Sequence, residues 1–370
     1  MVSGPRHRRE DFRFKEAIGS RGFDDIAGRQ QLDLADIGQD DFGLYRQAIF
    51  QRSAVSIGRF GQQHLGVSVA GAMDQRAHQL ANILVGNEPT LATLEVTLTG
   101  PSLRFTKPCC IALCGADLSA TLNGQPLALN RPIVIRAKDE LSFGMRQHGT
   151  RAYLAVHGGF ALTPVLGSTS TYLRSAMGGW HGRALRRDDE IPLLLPLKNK
   201  GLEDLAMELW SLKIYLPSAL AESRHTVVRL MKGQQWDEFT PESCAALLTE
   251  PYRISPDSER MGYRLQGAPL LMTTPRQMIS EGTTFGTIQV PAGGQPIILM
   301  ADRQTTGGYP KMAYVANIDL PRLAQMGPGD TVSFTAISLE QAQALNLARA
   351  QAFATLAQAL QPVRTLLFNH

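Results

Sequence analysis

Apolar residues fall in three kinds of pattern along this chain. In "GAMDQRAHQLANILVGN", residues 71–87, Ala77, Leu80, Ala81 and Leu84 recur at helical spacing. Asp74 stands where an N-cap belongs and Gly86 where a helix ends. From there to about residue 195 the rhythm becomes short runs cut by glycine and proline: "LEVTLTG", "CIALCG", "PIVIRA", "AYLAVHGG". Many short strands with tight turns predict a barrel or sandwich. Residues 197–225 are mixed and read as a connector. A second strand-rich region covers 226–338, with one helix predicted after Thr240 as cap and Pro241 at the first helical position. An amphipathic helix and tail, 339–370, presents Leu345, Ala352, Phe353, Leu356 and Leu360 near one face.

The two strand-rich regions echo each other. "LTGPSLRF" resembles "LQGAPLLM", "NGQPLAL" resembles "GGQPIIL", and "DDEIPL" and "GDTVSF" each set an acidic turn before a closing strand. The expected fold is mainly β with a few helices: two similar barrels, 46–196 and 226–338, from an internal duplication. Residues 1–45 are polar and weakly periodic, and are expected to be a poorly ordered or mis-started extension. A groove between two barrels is a common ligand site.

The chain has 370 residues, 44% of them hydrophobic and 19% charged, with a net charge of +4. This mild excess, without long basic runs, gives no support for nucleic-acid binding. No apolar segment is long enough to span a membrane. Cys109, Cys110 and Cys114 lie in an apolar run and, with Cys244, match no metal spacing, so no metal site is expected and a reducing, cytoplasmic setting is. There is no phosphate loop, no dinucleotide fingerprint, no zinc-protease motif and no serine-nucleophile elbow.

Four stretches carry candidate chemistry. "GRFGQQHLGVSVAGAMDQ" delivers Arg59, His64 and Asp74 to a helix mouth, where amide groups and dipole favour an anion; the alternative is that the glycines make turns and Asp74 only caps. "SPDSERMGYRLQG" offers Arg260 as a bidentate clamp for a carboxylate, or as half of a surface ion pair. In "ISEGTTFGTIQV", Glu281 is a base if burial raises its pKa, followed by Gln289 on a strand. In "ADRQTTGGYPKMAYV", Asp302 leads to Thr305, Thr306, Gly307 and Gly308, whose N–H groups can converge on an anion. Tyr309 and the cation Lys311 follow.

Together these segments, with "ATLEVTLTGPSLRF", "GQQWDEFT" and "ADRQTTGGYPKMAYVANIDLPRLAQMGPGD", closely resemble the allophanate-hydrolase-subunit-2 family, also called the biotin-dependent carboxyltransferase-like family, over about residues 50–338. Its members include the C component of 5-oxoprolinase, a regulator of a sporulation kinase inhibitor and part of urea carboxylase. The resemblance implies two cyclophilin-like β-barrels and partner subunits A and B. It implies ATP, with magnesium, as co-substrate in opening a small anionic lactam. Two alternatives are carboxyl transfer from biotin carried on another chain, and a non-catalytic regulatory partner of a protein resembling the B component. Family members carry Thr-x-Gln-Asp-x-Gly-Arg; here Val55 and Ser56 stand for the glutamine and aspartate ahead of Gly58 and Arg59, and Phe60 replaces a common proline.

Overall fold

The computed structural model describes residues 13–15, 52–221 and 226–370. Apart from one short strand, the leader expected over residues 1–45 lies outside them.

The first half builds ten strands: β1 (Arg13–Lys15), β2 (Arg52–Val55), β3 (Thr93–Thr97), β4 (Ser102–Arg104), β5 (Cys109–Asp117), β6 (Thr121–Leu122), β7 (Gln125–Pro126), β8 (Ile133–Ile135), β9 (Glu140–Ser142) and β10 (His148–Val156). They form two five-stranded sheets, in the orders β1-β4-β9-β6-β7 and β2-β3-β10-β5-β8. Leu94, Phe105, Ile111, Leu113 and Leu154 belong to a shared core of these sheets. The other face of the β5-β10 sheet is apolar as well. Cys110, Ala112, Cys114, Tyr153 and Ala155 there contact helix α1 (Gln75–Leu84) and helix α2 (Leu202–Ser211). Burial on both faces explains why β5 and β10 read as near-continuous apolar runs. All four cysteines are free thiols.

Helix α1 forms where its periodicity places it. The Asp74 carboxylate accepts from the Ala77 amide at 2.8 Å, and Gly86 closes the end with φ of 72°.

The second half contains β11 (Val227–Lys232), α3 (Pro241–Thr249), β12 (Tyr252–Ile254), β13 (Gly262–Gln266), β14 (Glu281–Gly282), β15 (Thr287–Gln289), β16 (Ile297–Leu299), β17 (Thr306–Gly307), β18 (Lys311–Val315), α4 (Leu320–Ala324) and β19 (Thr331–Ala336). Seven of these strands close a barrel in the order β11-β18-β15-β16-β13-β12-β19, sealed by a parallel pairing of β11 with β19. β14 and β17 stand apart as a two-stranded ribbon. Two barrels were expected; among the described residues the hydrogen bonding closes the second, and the first half is laid out as two sheets. Gly124, with φ of 80°, turns the chain into β7, and Gly294, with φ of 75°, precedes β16.

The chain then returns to its first half. Helix α5 (Leu339–Ala359) and helix α6 (Gln361–Asn369) bury Leu356, Leu360, Val363 and Leu367 in the same core as α1 and α2. The amphipathic tail is therefore a clasp on the first half. Met73, just before α1, crosses the other way and joins the barrel's core.

A Gln325 side chain ties the halves at a bulge in the β5–β10 pairing. Its Oε1 accepts from the Thr150 and Arg151 amides at 2.9 and 3.0 Å, and its Nε2 donates to Asp74 Oδ2 at 2.8 Å. The register of β10 against β5 shifts between His148 and Ala152. Gly149 makes room there: a Cβ would stand 2.7 Å from Gln325 Oε1, at a φ of +72°.

Candidate functional site

The candidate side chains fall into three separate groups. The first is a buried ionic network between the halves. Arg260 donates twice to Asp302, at 3.0 and 2.8 Å, once to Glu95 at 2.5 Å, and once to the Gly71 carbonyl at 2.6 Å. Glu95, on β3, also accepts from the Met73 amide at 3.0 Å and the Tyr153 hydroxyl at 2.7 Å. Arg151 donates to the Tyr263 hydroxyl at 2.7 Å and lies 3.9 Å from Glu95. Burial alone would push the Glu95 carboxyl up. The Arg260 and Arg151 guanidinium groups, with the Met73 and Tyr153 bonds, overcome it and hold Glu95 below the usual range.

This network corrects two readings. Arg260 does clamp a carboxylate bidentately, but the carboxylate is Asp302 of the same chain, and two of its three remaining N–H groups go to Glu95 and Gly71. Asp302, with both oxygens on Arg260, is a structural counter-ion. Asp74 is likewise occupied, by its cap bond, by Gln325 and by Arg76 at 3.4 Å.

The second group surrounds Arg59. Its side chain is wholly buried, Nη2 donates to the Ser170 carbonyl, and Nε and Nη1 have no hydrogen-bond partner. Gly178 lies against it: a Cβ there would meet Nη2 at 1.9 Å. Burial lowers the Arg59 pKa, and the Asp302 charge opposes that only in part. Beside it Ser56, the residue that departs from the family pattern, shares its hydroxyl with Ser168 and Ser170 at 3.0 and 3.1 Å. His64 stands exposed on a short 3-10 turn, Gln63–Leu65.

The third group lies at the ribbon. Lys311 is buried with Nζ 2.7 Å from Glu281 Oε2, while the Glu281 side chain is 48% exposed. Burial was the condition for Glu281 to act as a base, and it is not met. Gln289 pairs with Lys311 across β15 and β18; its Nε2 is buried without a partner, and Gly307 packs against it. Gly307 pairs with Glu281 in the ribbon, Thr306 is exposed, and Tyr309 is half exposed. Neither Gly307 nor Gly308 has positive φ. The expected cradle of consecutive N–H groups is therefore absent: the strand pairing holds that backbone extended. Thr305 uses its carbonyl to accept from the Thr283 amide at 2.9 Å.

A cavity of about 540 Å³ opens between the halves. Its wall includes Gln63, Gln75, Thr283, Arg303, Tyr314 and Arg349. Arg260, Glu281 and Lys311 do not line it, so the single cleft expected to unite those three is not formed. Lys311 and Glu281 adjoin it along the chain, since Tyr314 follows on β18 and Thr283 follows β14. Arg303 and Thr283 lie inside stretches marked from the sequence, yet their neighbours drew the attention. Glu95 and Gln325 lie in the segments that carry the family resemblance but, like Arg151, do not stand out as site residues, because no glycine-rich turn or cluster of polar groups surrounds them in a way that marks a ligand site. Among the described residues no group of His, Cys, Asp and Glu could hold a metal ion, and no helix is long and apolar enough to cross a membrane.

A β-rich chain of two halves, joined by buried ion pairs and opening a cleft between them, is a carboxyltransferase-type architecture. The chain belongs to the family described as carboxyltransferase domain, subdomain A and B, whose sequence profile matches residues 65–336. It is 39% identical to the C component of 5-oxoprolinase from Escherichia coli over 285 residues, 77% of this chain and 88% of that one. It is 37% identical to the same component from Haemophilus influenzae, over 78% and 89% of the two chains. Among solved structures, the urea amidolyase of K. lactis superposes with a TM-score of 0.75 at 29% identity, over 84% of this chain and 20% of that one. The chain thus spans about a fifth of that larger protein.

Proposed function

We propose that this chain is the C component of an ATP-dependent 5-oxoprolinase, working with subunits A and B to convert 5-oxoproline, ATP and water to glutamate, ADP and phosphate in the cytoplasm. The observation that carries the reading is the cleft of about 540 Å³ between the halves, with amide, hydroxyl and guanidinium groups in its lining. That inventory suits a small anionic lactam, whose ring carbonyl and N–H need donors and acceptors and whose carboxylate needs a cation. The two bacterial 5-oxoprolinase relatives support the same assignment.

A lactam carbonyl is a poor electrophile. ATP supplies a phosphoryl group to its oxygen, which makes the ring carbon open to water. The described residues fit the lactam better than a triphosphate: the double glycine is extended and no carboxylate cluster offers a place for magnesium. We therefore place the nucleotide and its metal at a face shared with a partner subunit, and the chain alone should be inactive. Within this chain the cleft amides orient the ring, and Lys311, released from Glu281 at the cleft edge, neutralises charge gathering on the carbonyl oxygen.

Carboxyl transfer is the second reading, favoured by the urea amidolyase likeness. It needs carboxybiotin on another chain. Mixing the purified chain with its A and B partners separates the possibilities. ATP-dependent glutamate release from 5-oxoproline supports the first. Turnover only with carboxybiotin supports the second. Tight binding of the B partner with no turnover of either kind points to a regulatory role and overturns both.

A further inference from the structure

Two guanidinium groups reach the cleft wall, and they differ in what they have left to give. Arg349, on α5, donates to the Asn317 and Ile318 carbonyls at 3.2 and 3.4 Å and to Asn346 Oδ1 at 3.2 Å. Arg303 makes one long contact, Nη1 to the Met300 carbonyl at 3.4 Å. Its Nε is buried without a partner, and its guanidinium carbon lies 5.8 Å from the Phe285 ring centroid. The neighbouring carboxylate does not satisfy it, because Asp302 has both oxygens on Arg260. The Arg260 and Arg151 charges are balanced by Asp302 and Glu95; neither Arg303 nor Arg349 has a carboxylate partner among the described residues, and of these two cleft arginines Arg303 is the one with hydrogen-bonding capacity left unmet. The Phe285 ring and the Met300 carbonyl hold it in place before any ligand arrives, so little side-chain entropy is lost on binding.

We infer that Arg303 binds the carboxylate of the substrate through the terminal end of its guanidinium, where Nη2 makes no hydrogen bond among the described residues, and so selects a lactam bearing a carboxylate over a neutral one. The assignment rests on the cleft being the lactam site. A planar fork whose Nη2 is unbonded and whose Nη1 makes one long contact matches a carboxylate oxygen pair, and the 540 Å³ cavity leaves the ring room beyond it.

The test compares wild-type, Arg303→Met and Arg303→Lys chains in the complex with subunits A and B, with 5-oxoproline and 2-pyrrolidinone as substrates. Binding of 5-oxoproline to each chain alone is measured by calorimetry. Arg303→Met should raise KM for 5-oxoproline at least tenfold with a much smaller change in kcat, and should cut the preference for 5-oxoproline over 2-pyrrolidinone, read as the ratio of their kcat/KM values, at least tenfold. Arg303→Lys should recover part of the loss. Equal losses on both substrates, or no loss on either, would overturn the inference. If the wild-type complex turns over no 5-oxoproline, the function proposed above fails. Arg303 then stands only if wild-type chain binds 5-oxoproline and Arg303→Met binds it at least tenfold more weakly, and falls if the two bind alike.

Discussion

Replacing Arg260 by methionine tests the claim that it joins the two halves and does not bind substrate. The substitution keeps most of the side-chain volume and removes four donated hydrogen bonds. It strands Glu95, 1% exposed, and Asp302, 6% exposed, as buried carboxylates. Breaking a buried pair from one side costs about 3–5 kcal/mol, and two carboxylates share this arginine, so the upper end is expected. For a chain of this size that lowers the midpoint by roughly 4–6 °C. The pH dependence is the sharper reading. In the wild type Glu95 is held below the ordinary range, so its contribution is present above the unfolded pKa and is lost as pH falls through the folded one. In the variant burial wins, the folded pKa moves up, and protonation relieves the strain. Urea denaturation of both proteins at pH 7, 6 and 5 should therefore show their stability difference shrinking as pH falls. A constant or growing difference would refute the account, as would a variant that keeps its stability and loses only substrate affinity.

Three further outcomes follow from the same structure. Lys311→Ala should cut turnover of the assembled enzyme at least tenfold while the melting curve keeps its shape, and unchanged kinetics would remove Lys311 from the site. Arg59 buries two donors without partners, each costing about 1–3 kcal/mol, so Arg59→Met should change stability by less than about 1 kcal/mol or raise it; a loss above about 3 kcal/mol would show that those donors are satisfied in solution. His78, buried with Nδ1 2.8 Å from Thr93 Oγ1, has its pKa pushed down to about 4 by burial, against the opposing Glu95 charge. A depressed histidine favours the unfolded state as it protonates, so stability should fall between about pH 6.5 and pH 4 by up to about 3 kcal/mol, and His78→Asn should flatten that slope in denaturation curves.

The helices were legible because their signals are local. Asp74 with its i, i+3, i+4 partners fixes α1, and Thr240 with Pro241 fixes α3. Strand content was legible too, whereas closure was not, because closing the barrel through β11 and β19 depends on contacts about a hundred residues apart. The site was read least well, for one reason. A charged residue in a glycine-rich stretch looks the same whether it awaits a ligand or another part of the chain. Arg260, Asp302 and Asp74 found partners in Glu95, Gln325 and each other, none of them marked by motif. The double glycine invited an anion cradle, but the pairing of Gly307 with Glu281 holds it extended.

The same ionic network decides what can move. Arg260, Arg151 and Gln325 each bond across the halves, and their groups are buried, so a hinge between the halves would expose several charged donors and acceptors at once. That cost is large against any small ligand's binding energy. The ribbon is the opposite case. β14 and β17 are two residues each, Glu281 and Thr306 are exposed, and one ion pair, Lys311 to Glu281, ties the ribbon to the barrel wall. Substrate entry therefore has a cheap path in ribbon displacement and an expensive one in domain opening. The expected motion is local: Glu281 gives up Lys311, the cleft edge at Thr283 shifts, and the wall that carries Arg303 stays where Arg260 and Asp302 have fixed it.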